Sequence, residues 1–278
     1  MACIMDRVGV LLTCEAQTGM SIVDAEALLA LTRHVHITER TVGDSAGLSN
    51  RSKNIIIVTV PHAACQVMGI NEQLLNSASI ATLAAIQHQL DTAYPAGPRM
   101  CDRRALVGAI ALRVAFLRLY PFSAAAVGAA EMVVVVNQEQ PRIECDANRE
   151  SCHGPMRDKV ADTVTAVEGR VVWNLDVHSF PPEHTRDDIY MLARVHPEPF
   201  ASRKWSLLGE SFGFHVYAGS EMNYFMKWFE DEKRVPSLLV EFCESAERYP
   251  LPILNHDAHL IVNFVLHNIN LYKTLAPA

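Results

Sequence analysis

Four short apolar runs rich in β-branched residues constrain this chain more than anything else in it: NIIIVTV at 54–60, MVVVV at 132–136, VVWNLDV at 171–177 and SLLVEF at 237–242. Each is continuous rather than alternating, so the strand it forms needs cover on both faces. Patterns with helical spacing occupy 21–33, 72–90, 103–119, 154–167, 221–232 and 257–272. This alternation predicts an α/β fold with a mostly parallel or mixed central sheet flanked by helices on both faces. SFGFHVY at 211–217 alternates more and reads as an edge strand, while PAGPRM at 95–100 and RVHPEPFASRKW at 194–205 read as loops. With 278 residues, 50% of them hydrophobic, a single domain over 1–278 is expected.

In open α/β sheets a ligand sits beyond the carboxyl ends of the strands, so the polar residues that close each run are the candidates. His62 follows the first run by two residues, in PHAAC, with Pro61 stiffening the backbone. It is either a ligand or a structural histidine. Asp176 and His178 share one face of the third strand, because side chains repeat every two residues. Neutral imidazole binds zinc, and a neighbouring carboxylate orients it; the alternative is a core histidine bonded to Asp176.

After the second run, RIECDANRES offers Asp146, Asn148 and Arg149. A guanidinium beside an amide suits capture of a carboxylate, and a plain turn with a solvated charge is the other reading. Glu241 closes the fourth run, either paired locally or poised as a general base whose pKa desolvation raises.

In this order, Pro61-His62, Cys101-Asp102-Arg103, Asp146-Ala147-Asn148-Arg149, Asp176-Val177-His178-Ser179 and Val240-Glu241-Phe242 resemble the motifs of the N-formylglutamate amidohydrolase family, a branch of the zinc carboxypeptidase and aspartoacylase-like hydrolases. The resemblance covers 54–242 and leaves 1–50 unassigned. It implies a zinc-carboxypeptidase-like fold and one Zn2+ held by His62, Asp102 and His178. It also implies amide hydrolysis of a small N-acyl amino acid, with Glu241 as general base. Asp146, Asn148 and Arg149 would bind substrate, Arg149 gripping the substrate's carboxylate or, as a catalytic residue, steadying the tetrahedral oxyanion, with Asp176 and Ser179 orienting the ligands.

Two departures from the family pattern bear on this. Cys65 stands three residues after His62, where related carboxypeptidases have their acidic ligand, and is a competing third ligand. Asp102 precedes the helix 103–119 and is either the substitute ligand or an N-cap. Ala147 also stands where a leucine is usual. The alternative function is an inactive homologue serving as a binding or assembly component.

Composition narrows the partners. A net charge of -7 with mixed signs gives no field for gripping nucleic acid, and no GxGxxG or GxxxxGK[ST] loop occurs. No apolar run reaches the roughly eighteen residues of a membrane span, and the start lacks a signal core. Seven scattered cysteines without a CxxC pair suggest a reducing compartment rather than a disulfide framework. A cytoplasmic protein acting on a small-molecule amide is therefore expected, with homo-oligomerisation left open. His34, His36, His196, His256 and His259 fall outside the motif order and read as surface or capping residues.

Overall fold

The computed structural model describes residues 53–63, 70, 72–93, 102, 104–137, 142, 144–152, 154–181, 189–194, 217–219 and 224–269. All belong to one compact unit, residues 51–278. The expected helix at 21–33, the reach of a single domain over 1–50, Cys65, His34, His36, His196 and both expected loops, apart from Arg194, lie outside the described residues.

In chain order the elements are β1 (Asn54–Val60), α1 (Glu72–Ser77), α2 (Ile80–Ala93), α3 (Ala105–Val127), β2 (Ala130–Val136), α4 (Pro155–Ala166), β3 (Arg170–Phe180), β4 (Ile189–Arg194) and β5 (Tyr217–Gly219). Then come α5 (Tyr224–Lys227), which runs on as a π-helical turn over Trp228–Glu232, β6 (Ser237–Cys243) and α6 (Leu251–His267). One sheet holds the strands in the order β2-β1-β3-β6-β4-β5. The first four are mutually parallel, β4 runs antiparallel to β6, and β5 is parallel to β4. The chain is therefore an α/β protein built on a mixed sheet.

Both faces are covered, as continuous apolar strands require. Ile55 and Ile57 of β1 pack with Met156 and Val160 of α4 and with Phe225 and Phe229 on the α5 side. Ile56 and Val58 point the other way by strand alternation and are fully buried. On that side α3 packs against α6 and reaches β1, β2 and β3. Gly108 lets α3 lie against β6, because a Cβ there would come within 2.2 Å of Phe242 Cδ2.

An edge strand exposes unpaired backbone groups, and β2 is an edge. Here α1 seals it: Asn76 donates to Val134 O at 2.9 Å and accepts from Val134 N at 2.8 Å, and Glu72 Oε1 accepts from Val136 N at 2.6 Å. Buried Arg113 donates to the carbonyls of Met132 and Asn76.

Several expectations need correction. The helix at 72–90 is two helices, because Ser79 Oγ accepts from Thr82 N at 3.2 Å and starts α2 afresh. No strand is expected at 189–194, where IYMLAR is short and lacks a continuous β-branched run; of the expected edge strand 211–217 only Tyr217 is among the described residues, and it opens β5 at the edge of the sheet. The helix expected at 103–119 is α3, and against the expectation that no apolar run reaches a membrane span it is long and apolar enough to cross one, although Arg113 and Arg118 interrupt its run. Its apolar window is 72% buried within the protein, so it serves as a core helix here. Finally, Cys145 and Cys152 form a disulfide, although seven cysteines without CxxC pairs pointed away from one. Their six-residue spacing falls outside that motif.

Candidate metal centre

The site assembles at the carboxyl end of the parallel strands. Asn137 Nδ2 donates to Pro61 O at 2.8 Å and fixes the backbone just past β1, where His62 stands. Asp102 N donates to His62 O at 3.2 Å, which brings the segment before α3 alongside. Asp176 and His178 share a face of β3, and Glu241 of β6 stands opposite His178 in the parallel register. The loop after β2 supplies Arg142, Asp146, Asn148 and Arg149.

Asp102 is the hub. Its Oδ2 lies 2.6 Å from His178 Nδ1 and 3.0 Å from His62 Nδ1, and its Oδ1 accepts from Arg142 at 3.2 Å. The two imidazole rings meet edge to face, 4.7 Å between centroids. This resolves the N-cap question: α3 starts at Ala105 behind Arg104, with no side-chain cap, and the Asp102 carboxylate faces the histidines instead.

Each ring is also held at its far nitrogen. His62 Nε2 lies 2.7 Å from Asp146 Oδ1, and His178 Nε2 lies 3.2 Å from Asp176 Oδ2. Asn148 Nδ2 lies 2.8 Å from His178 Nε2 and donates to Asp176 Oδ2 at 2.7 Å. Thr59 also donates to Asp176 Oδ1 at 2.7 Å, so both oxygens of that buried carboxylate are engaged. Without a metal, Nδ1 of each ring can donate to Asp102; with one bound, the carboxylate at Nε2 would favour the tautomer protonated there and leave the Nδ1 lone pair free for the ion.

The charges reinforce one another. Burial pushes the Asp102 carboxyl up, but the bonds from His178 and His62 outweigh this and hold it well below the usual range. Asp146 behaves alike, burial being overcome by His62, the Asn148 amide and Arg142. For His178 burial opposes the charged ring, yet Asp176 and Asp102 push it up to about 10.

His62, Asp102 and His178 are all buried, and their ligand atoms lie within 4.8 Å of one another, so they form a donor set that can hold a metal ion. Two imidazoles and a carboxylate suit zinc, and the Nε2 carboxylates supply the orienting shell such a site needs. The residues present therefore fit the metal that the sequence implies.

A cavity of about 120 Å³ opens on this set, lined by His62, Asp102, Arg142, Asp146, Asn148, Arg149, His178, Ser179 and Glu241. Arg149 is largely exposed at its mouth, 3.6 Å from Asp146 Oδ2. Ser179 stands on the wall, its Oγ accepting from Arg104 N at 3.1 Å and donating to Glu244 at 3.0 Å, and so braces the segment beside Asp102. A wider depression along α4 is lined by Asp158, Asp162 and small or polar neighbours, with no histidine or cysteine among its described lining residues. It is a solvated helix face.

The structure thus brings together every expected residue, Asp176 lying one layer beneath the cavity. Asp146, expected among the substrate-binding residues, contacts His62. Arg142 was missed; it donates to both Asp102 and, at 3.3 Å, Asp146. Its signal was a cation four residues before Asp146. Arg157 on α4 donates to the carbonyls of Ala147, Arg149 and Glu150, while its guanidinium lies 3.4 Å from the Tyr224 ring centroid. The loop is pinned from behind. Of the remaining histidines on α6, His259 Nδ1 lies 2.7 Å from Asn255 O, and His256 Nδ1 is buried without a partner.

No family model and no curated protein matches the sequence. Among solved structures, the chain is similar to the gene product Atu2144 of Agrobacterium tumefaciens, at 14% identity and a TM-score of 0.42, over 80% of this chain and 91% of that one. It is similar to a metallo-carboxypeptidase from Burkholderia cenocepacia at 12% identity and a TM-score of 0.43, over 83% of this chain and 60% of that one. An N-acetylmuramoyl-L-alanine amidase of Nostoc punctiforme aligns at 7% identity and a TM-score of 0.37, over 77% of this chain and 96% of that one. These are distant likenesses, and the functional reading rests on the side chains of the site.

Proposed function

We propose that this chain is a zinc-dependent amidohydrolase that cleaves the amide bond of a small, carboxylate-bearing N-acyl amino acid, like the N-formylglutamate amidohydrolases its motifs resemble. One observation carries the reading: His62 Nδ1 and His178 Nδ1 converge on a single oxygen of Asp102, and each ring is backed at Nε2 by a further carboxylate. Three protein ligands with a cavity beside them is the pattern of a catalytic rather than a structural zinc site. A divalent metal held there supplies Lewis acidity, polarising the scissile carbonyl and making water a stronger acid.

The chain's own residues do the rest. Glu241, opposite His178 and on the cavity wall, takes the proton of the attacking water on its carboxylate and passes it to the leaving nitrogen. Arg149, exposed and loosely paired, holds the substrate carboxylate with a bidentate fork, and Asn148 stays engaged with Asp176 and His178. Arg142 faces the same cavity and stabilises negative charge that develops on the carbonyl oxygen. A cavity of about 120 Å³ favours a small acyl group such as formyl or acetyl. A cytoplasmic location and a small-molecule substrate belong to the same proposal.

The test is hydrolysis of a panel of N-formyl and N-acetyl amino acids by zinc-loaded protein, beside the same compounds with the carboxylate converted to an amide. Turnover of the free acids and loss of it with the capped ones is expected. Bound zinc with no hydrolysis of any member would favour the binding or assembly role instead.

A further inference from the structure

The loop that carries Asp146, Asn148 and Arg149 is closed at its two ends by the Cys145–Cys152 disulfide. Its middle has other anchors. Asn148 O accepts from Tyr224 N, Asn148 Oδ1 accepts from Phe225 N at 3.1 Å, and Arg157 takes the carbonyls of Ala147, Arg149 and Glu150. Asp146 is held from within the loop: Asn148 N donates to its Oδ1 at 3.0 Å and Arg149 N to its carbonyl at 2.9 Å, and the covalent tie is next door at Cys145. Yet Asp146 is the residue whose Oδ1 sits on His62 Nε2 and whose Oδ2 meets Arg142. Cys152 is buried and Cys145 only half-buried, so Cys145 is the more accessible partner for an attacking thiol.

We propose that this disulfide is a thiol-controlled switch on the site: oxidised, it holds Asp146 against His62 and the centre retains its metal; reduced, it slackens Asp146 and the metal is released more readily. The proposal rests on the metal reading above. A small thiol or dithiol supplies the reducing equivalents. Its thiolate attacks Sγ of Cys145, the Cys145–Cys152 bond breaks, and a mixed disulfide and a Cys152 thiolate result. A second thiol resolves the mixed disulfide, so two electrons and two protons end on two cysteine thiols and the reductant leaves as its own disulfide. In a reducing compartment such as the cytoplasm the centre is in its weaker-binding form, and oxidation tightens its hold on the metal.

The experiment compares oxidised full-length protein, the same protein reduced with a phosphine that does not bind zinc, and the Cys145→Ser/Cys152→Ser variant. Each is titrated with zinc against a chromophoric chelator, and hydrogen exchange is followed over 144–152. Reduction is expected to release two thiols, to speed exchange around Asp146, and to weaken zinc retention about ten-fold, the low end of what a lost orienting carboxylate costs. The serine variant should match the reduced protein, and reoxidation should restore the wild type alone. Equal zinc retention with equal exchange in oxidised and reduced protein would overturn the switch while leaving the metal reading intact. Tighter zinc binding by reduced wild type that the serine variant lacks would mean ligation by the thiols themselves and would also overturn it. Should no form bind zinc, the metal reading falls and the switch with it.

Discussion

Asp102 Oδ2 lies 2.6 Å from His178 Nδ1, a contact between two buried side chains 76 positions apart in sequence. One comes from the segment before a core helix and the other from the end of a central strand, so the contact exists only in the folded sheet. Asp102→Asn keeps the shape and removes the charge. Zinc affinity is expected to fall by about 100-fold or more, since removing even an orienting partner of a ligand costs 10–100-fold. In chelator-stripped protein the same change breaks a buried ion pair and should cost roughly 3 kcal/mol by urea denaturation. Wild-type behaviour in both would remove Asp102 from the centre.

The charges predict how chelator-stripped protein responds to pH. His178 is raised from 6.5 to about 10, so its contribution is fully present below pH 6.5 and is lost as the pH climbs from there toward 10. Asp102 and Asp146 are depressed below 3.8, so their contribution is present above that value and is lost as the pH falls beneath it. Thermal melts of stripped protein should therefore peak between pH 3.8 and 6.5. Zinc displaces the proton from His178, so its affinity should rise with pH across the alkaline window, with proton release on binding. A stripped protein that gains stability from pH 7 to 9 would contradict the assignment.

Glu241→Gln should leave zinc binding unchanged and reduce turnover by at least about 100-fold, as expected for loss of a general base. Turnover within a few-fold of wild type would remove Glu241 from that role.

Arg157→Met should leave the Ala147, Arg149 and Glu150 carbonyls without their donor. With the Tyr224 stacking also lost, about 1–3 kcal/mol of stability should go, read from the denaturation midpoint. An unchanged midpoint would mean that the loop does not depend on this clamp.

Gly108→Ala tests the packing of α3 on β6. The new methyl would meet Phe242 Cδ2 and Cε2 at 2.2 and 2.3 Å, and Phe242 is fully buried beside Glu241. Overpacking of this kind costs about 1–3 kcal/mol, more than the helix propensity gained from alanine returns. A neutral or stabilising effect would show that α3 stands further from the sheet.

The strand ends were legible because continuous β-branched runs can form little else in a chain alternating with helical spacing, and His62, His178 and Glu241 each sit at such an end. What pairs with what was less legible. Asp102 reads equally as a cap or a ligand until its carboxylate is seen facing two imidazoles rather than the amides of α3. Asp146 and Arg142 lie in a loop, where no periodicity reports side-chain direction, so their bonds to His62 and Asp102 depend on tertiary contact. The Cys145–Cys152 pair escaped for the same reason, and β4 escaped because a six-residue strand lacks a diagnostic pattern.

The central claim is that His62, Asp102 and His178 hold one metal. The most direct measurement is elemental analysis of protein purified without chelators or a metal-binding tag, for wild type and for His62→Ala, Asp102→Ala and His178→Ala, each checked for folding by circular dichroism. About one zinc per chain in the wild type, lost in all three folded variants, is the predicted result. A folded wild type that takes up no zinc when it is added back, or variants that keep theirs, would contradict the account.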